Sequence, residues 1–144
     1  MKDYRVFVDT NIIVYAYDSS AGDKHLIAQK RMKELWRDGN GIISTQVLQE
    51  FFVTVTRKIP APLDIMTAKE IVKDLLKWKT VSIDGALLLE AIDIHRGNTF
   101  SFWDSAIIAA AIEGGAGTLL SEDLSDGHAI RGIVIENPFR ALHA

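Results

Sequence analysis

The chain has 144 residues, 48% of them hydrophobic and 24% charged, with a formal net charge of −3. That length fits a single domain over 1–144 with core enough to need no staple, and the absence of cysteine excludes disulfides, thiolate metal sites and thiol nucleophiles. The acidic balance excludes a wholly basic nucleic-acid coat but leaves room for a basic rim around an acidic pocket.

Tyr4 to Val8 is a continuous apolar run, as expected of a strand buried on both faces. It ends in Asp9, Thr10 and Asn11, and apolar residues resume at once, so Thr10 to Tyr17 reads as a short helix. Asp23 to Arg37 reads as a charged amphipathic helix with Leu26, Ile27, Met32, Leu35 and Trp36 as its apolar stripe, stopped by Gly39-Asn40-Gly41. Gly41 to Ser44 follows as a strand. Thr45 is placed as the cap of a helix to about Thr56, with Val47, Leu48, Phe51, Phe52 and Val55 on one face.

After the break at "KIPAPLD", Ile65 to Trp78 is predicted helical and Thr80 to Ile83 a strand. Asp84 caps a helix to about His95, and Ser101 opens another to Ile112, closed by Gly114-Gly115. Gly117 to Leu120 and Gly132 to Ile135 are the last predicted strands. Strands separated by helices imply right-handed crossovers, hence an α/β fold with a mostly parallel sheet and helices on both faces. The stretch "MKDYRVFVD" lacks the apolar core of a signal peptide, and the longest apolar run, Ala106 to Ile112, is too short for a membrane span. A cytoplasmic location and no membrane partner are therefore expected.

In such sheets ligands bind outside the carboxyl ends of the strands. Asp9 follows the first strand directly. Glu50 lies in the helix after the second, on the flank of the Val47/Phe51 stripe, facing neither core nor open solvent. Asp104 sits in the first turn after "NTFSF", and Ser121, Glu122 and Asp123 follow "GTLL". Each acid has a plainer reading. Asp9 could be a helix cap, Glu50 a solvated helix residue, Asp104 part of a capping box with Ser101, and Asp123 a turn residue. Their coincidence at one sheet edge points to chemistry instead. Two carboxylates about 5 Å apart repel by roughly 3 kcal/mol at an effective dielectric near 20, and a hard divalent cation removes that cost. An all-oxygen set suits Mg²⁺ or Mn²⁺, which activate water and offset charge on a phosphodiester. Thr10, Asn11 and Ser121 stand as neutral supports.

Other features carry less. His25, His95, His128 and His143 show no paired metal spacing, "GGAG" at 114–117 lacks the rest of a phosphate loop, and no nucleophile elbow is present. Lys24, Lys30, Arg31, Lys33 and Arg37 read first as a solvated face; they would hold nucleic-acid phosphates if their helix bordered the acidic pocket. Phe100, Phe102 and Trp103 would pack in the core, stack a base, or join Ala106, Ala109 and Ala110 in a dimer contact.

"VFVDTNIIVYAYD", "STQVLQEFF", "FSFWDSAIIAAA", "TLLSEDLSDG" and "IVIENPF" together resemble, in order and spacing, the motifs of PIN-domain nucleases, and among them the VapC-type toxins of bacterial toxin–antitoxin pairs. The resemblance implies a PIN-like three-layer sandwich and a Mg²⁺- or Mn²⁺-dependent endoribonuclease. Asp9, Glu50, Asp104 and Asp123 would be its catalytic metal ligands, with Thr10, Asn11 and Ser121 in support. Glu122 and Asp126 compete for a part in "SEDLSD", with Asp126 as the spare. It also implies an RNA substrate, a VapB-like antitoxin and a homodimer. The rivals are a phosphatase or phosphotransfer domain with Asp9 as nucleophile, although such a pattern wants an Asp where Asn11 stands, and a non-catalytic receiver-like or RNA-binding module.

Overall fold

A computed structural model describes residues 4–143; Met1 to Asp3 of the N-terminal stretch, and the side chain of His143, lie outside the described residues. The strands are β1 (Val6–Val8), β2 (Gly41–Ser44), β3 (Lys79–Val81), β4 (Thr118–Leu120), β5 (Ala129–Ile130) and β6 (Ile133–Glu136). The helices are α1 (Thr10–Tyr17), α2 (Asp23–Asp38), α3 (Thr45–Arg57), α4 (Ile65–Leu75), α5 (Gly85–Gly97) and α6 (Phe102–Glu113). The sheet order is β3-β2-β1-β4-β6-β5, parallel throughout except for β5 against β6.

Successive residues of a strand point to opposite faces. All of Val6, Phe7 and Val8 are buried, and so are all of Gly41 to Ser44, so both faces of the central sheet are covered. α1 packs on α2 and α3, and α3 on α4; α5 and α6 pack on each other, with α6 against β2. α6 is buried from Ser105 through Ala111 and shows no polar face. Ala106, Ala109 and Ala110 therefore lie inside the chain's own core, which corrects the expectation that they form a dimer contact. Their small size lets α6 lie close against the sheet.

Several predicted boundaries move. Tyr4 and Arg5 are exposed and precede β1, α4 ends at Leu75 rather than Trp78, and β3 starts one residue early and stops at Val81. Ser44, not Thr45, caps α3, its Oγ accepting from Val47 N at 3.2 Å. In α2 the buried set is Ala28, Met32 and Leu35, while Leu26 and Trp36 are exposed. The true stripe runs i, i+4, i+7 through an alanine, and the larger apolar residues flank it.

The hairpin β5–β6 was not predicted as a pair. Its two-residue turn is Arg131-Gly132, both with positive φ (49° and 86°). A turn of that hand normally announces itself as Asn-Gly or Asp-Gly, and "RG" does not.

Candidate active site

The strand order reverses at β1, which has β2 on one side and β4 on the other. Chain segments leaving β1 and β4 diverge there and leave a crevice at their carboxyl ends. The peptide after β1 is pinned across that point, Asp9 N donating to Leu120 O at 2.9 Å. A cleft of about 620 Å³ opens here, and Asp9, Glu50, Asp104 and Asp123 all line it. Thr10, Asn11, Tyr15, Gln46, Lys58 and Trp103 are also in its lining.

Asp9 caps α1 and is 7% exposed. Its Oδ1 accepts from Thr10 N at 2.7 Å and its Oδ2 from Ser121 Oγ at 2.8 Å. Burial pushes the carboxyl from 3.8 up to about 6, against these two hydrogen bonds, and the charges of Glu50 and Asp123 add to the rise. Thr10 Oγ1 donates to Glu50 Oε1 at 2.7 Å, and Asn11 Nδ2 donates to Asp123 Oδ2 at 2.9 Å. Asn11 Oδ1 also accepts from Glu122 N at 3.3 Å. The "DTN" triplet thus supplies one cap and two tethers, each reaching another acid-bearing segment. Glu50 and Asp123 are exposed; for Glu50 this corrects the expectation of a shielded flank.

Asp104 behaves differently. Ser101 Oγ accepts from Asp104 N at 3.1 Å, which is half of a capping box. The other half is not made: among the described residues the Asp104 carboxylate has no hydrogen-bond or ion-pair partner. Asp104 still meets the helix dipole in the first turn, so only the reciprocal bond of the box is missing.

The spare acids are engaged elsewhere. Asp126 is not in the cleft lining; its Oδ1 accepts from Asn137 N at 2.8 Å and faces Arg140 at 3.5 Å. Asp126, the expected spare, thus lies outside the cleft lining and bonds the segment after β6. Glu122 accepts from the Tyr15 hydroxyl at 2.7 Å and pairs with Lys24, whose ammonium also sits over the Tyr15 and Phe139 rings. The basic residues of α2 do not border the cleft. Lys24, Arg31 and Arg37 pair with Glu122, Glu34 and Asp38, and Lys30 and Lys33 line a separate surface hollow. His128 lies edge-on to Phe100 at 5.7 Å, and among the described residues no histidine lines the cleft.

Gln46 and Lys58 were missed in the sequence. Gln46 is 5% exposed; its Nε2 lies 3.5 Å from Glu50 Oε2 and 3.4 Å from Trp103 O, so it links two acid-bearing helices. Both neighbours are acceptors, which fixes the amide's orientation and leaves Oε1 buried without a partner. Their signal was spacing: Gln46, Glu50, Thr54 and Lys58 recur every four residues.

Among the described residues no three His, Cys, Asp or Glu side chains have the spacing to hold one ion. The four acids share a cleft without closing on a point, three of the carboxylates, those of Glu50, Asp123 and Asp9, being held by Thr10, Asn11 and Ser121. In kind the donors still suit a hard divalent cation. They are all oxygen, none of the four is in an ion pair among the described residues, and the neighbouring charges raise Asp9.

No curated protein matches the chain. Among solved structures, a toxin–antitoxin complex from Klebsiella pneumoniae superposes with a TM-score of 0.67 at 19% identity, covering 92% of this chain and 97% of that one. DNA-bound VapBC from Salmonella typhimurium gives 0.64 at 17%, covering 94% and 98%. VapC20 of Mycobacterium tuberculosis, a toxin that cleaves the sarcin–ricin loop, gives 0.56 at 18%, covering 79% and 86%. At these identities the likeness is one of fold. The PIN domain family matches residues 6–125, from the first residue of β1 to just past Asp123, so it spans all four acids of the cleft. With the sheet order, the cleft at its reversal and that match in agreement, the chain belongs to the PIN domain family.

Proposed function

We propose that the chain is a VapC-like endoribonuclease that hydrolyses RNA phosphodiester bonds with Mg²⁺ or Mn²⁺ and is neutralised by a cognate antitoxin. The observation that carries this reading is the set of four carboxylates, drawn from α3, α6 and the ends of β1 and β4, lining one cleft at the sheet's reversal. The folds of the toxin–antitoxin proteins named above support it, as does the RNA-cleaving role of one of them.

In this reading Asp9, Glu50, Asp104 and Asp123 hold the cation. Such an ion supplies Lewis-acid chemistry, acidifying water and offsetting charge on the phosphorus oxygens. Ser121 and the Thr10 amide keep Asp9 in one orientation. Thr10 and Asn11 hold Glu50 and Asp123 on the cleft wall. Asp9 as a covalent nucleophile is poorly supported, since both of its oxygens are engaged and it is nearly buried. A non-catalytic module gives no role to four carboxylates lining one cleft.

The test is cleavage of an unstructured RNA in Mg²⁺ or Mn²⁺. Asp9→Asn should abolish cleavage with the circular dichroism spectrum intact, and EDTA should stop the parent. An undiminished rate in either case refutes the site. The same reading carries a homodimer, to be read by sedimentation of the purified chain.

A further inference from the structure

The cleft is not lined by acids alone. Trp103 is 65% exposed on its wall, and Lys58 is the one cation among the described residues that line it. The Trp103 backbone is fixed through its carbonyl by Gln46, and its ring meets Phe102 edge-on at 5.2 Å, yet most of the indole faces solvent. An indole left this exposed forgoes the burial that large aromatic rings normally gain. Lys58 has no ion-pair partner among the described residues. It follows α3 in helical conformation, its N–H donating to Thr54 O at 2.8 Å. Glu50, Thr54 and Lys58 therefore share one face of α3, all within the cleft lining. By helical rise Lys58 stands roughly 12 Å beyond Glu50 along the axis. Gln46, whose amide meets the Trp103 carbonyl, lies one turn before Glu50. The Trp103 backbone and Lys58 therefore stand on opposite sides of Glu50 along the helix axis.

We propose that this face of α3 is a track for an unpaired polynucleotide strand, with Trp103 stacking a base on one side of the acids and Lys58 holding a phosphate on the other. A third contact, a phosphate at the acids, rests on the nuclease reading; the outer two contacts do not. Base faces are hidden by stacking in a duplex, so an exposed indole can be used only by an unpaired base. A cleft with four acids repels a polyanion, and Lys58, the cation among its described lining residues, offers a phosphate an attractive contact. The α2 cations take no part, being paired or outside the cleft.

The test reads binding apart from cleavage, with a fluorescein-labelled single-stranded oligoribonucleotide and the full-length Asp9→Asn chain. Adding Lys58→Gln should weaken binding and flatten the dependence of log K on log salt by about 0.7 to 1 unit. Trp103→Ala should weaken it about tenfold, and Trp103→Phe should restore most of the loss. The strand should quench tryptophan fluorescence in the parent and far less in Trp103→Phe. Lys33→Gln, on α2, should leave the salt slope unchanged. Equal binding by parent, Lys58→Gln and Trp103→Ala overturns the track even if the wild-type chain cuts RNA, as does equal binding of a duplex of the same sequence. No binding by the parent also overturns it. Weakened variants beside a wild-type chain that cuts no RNA would keep the track and remove the nuclease reading.

Discussion

Asp9 was legible in the sequence because a buried strand that ends in an acid has to aim it somewhere; its protonation was not, because that depends on depth. The folded carboxyl titrates at about 6 against an ordinary 3.8, so between those values the folded state holds more protons than the unfolded one. Stability then falls as pH rises through that window, by up to about 3 kcal/mol, and stays at the lower level above it. In EDTA-treated protein, urea unfolding should show wild type losing ground to Asp9→Asn between pH 4.5 and 7.5. A constant difference between the two would mean that the carboxyl is not raised. Ser121, fully buried, does nothing visible except hold Asp9 Oδ2 and the Leu124 amide, at 2.8 Å and 3.4 Å. Ser121→Ala should lower metal affinity or cleavage by roughly 10- to 100-fold, as loss of a group that orients a ligand does, measured by Mn²⁺ titration beside rate.

At the scale of elements, periodicity and breaks located the main helices, whereas the caps were read unevenly: Asp84 and Ser101 cap as expected, Asp9 combines a cap with its place in the cleft, Ser44 takes the place given to Thr45, Asp64 was not singled out, and α2 has no side-chain cap. What periodicity could not supply was which side of a helix meets the cleft. That is why the charged α2 drew attention while Lys58, a single lysine at the end of α3, did not. The β5–β6 pair stayed hidden for a related reason: its turn conformation is imposed on Arg131, an unusual residue for positive φ, and not advertised by it. One close approach between elements gives a direct check. A Cβ on Gly41 would lie 2.6 Å from the Trp78 ring, which is itself packed edge-on to Trp36 at 5.2 Å. Gly41→Ala should cost about 1–3 kcal/mol, read from the denaturation midpoint, with Trp78 emission shifted.

For the whole molecule, the alternation of strand and helix was enough to anticipate a parallel sheet with its polar loops at one end, whereas the strand order needed the fold itself. The order matters because it gathers residues more than a hundred positions apart, as in the bond from Ser121 to Asp9. A ligand that joins segments so distant stabilises the entire fold. Mn²⁺ at about 100 times its dissociation constant should add about 2.7 kcal/mol, roughly 5–10 °C in melting temperature, and calorimetry of wild type beside Asp9→Asn should show the gain only in the former. The four acids are also unequal in what the fold asks of them. Asp9 is woven into the interior, while among the described residues the Asp104 carboxylate has no hydrogen-bond or ion-pair partner. Under the nuclease reading, a substitution at Asp104 would accordingly silence the chain at the least cost to its fold.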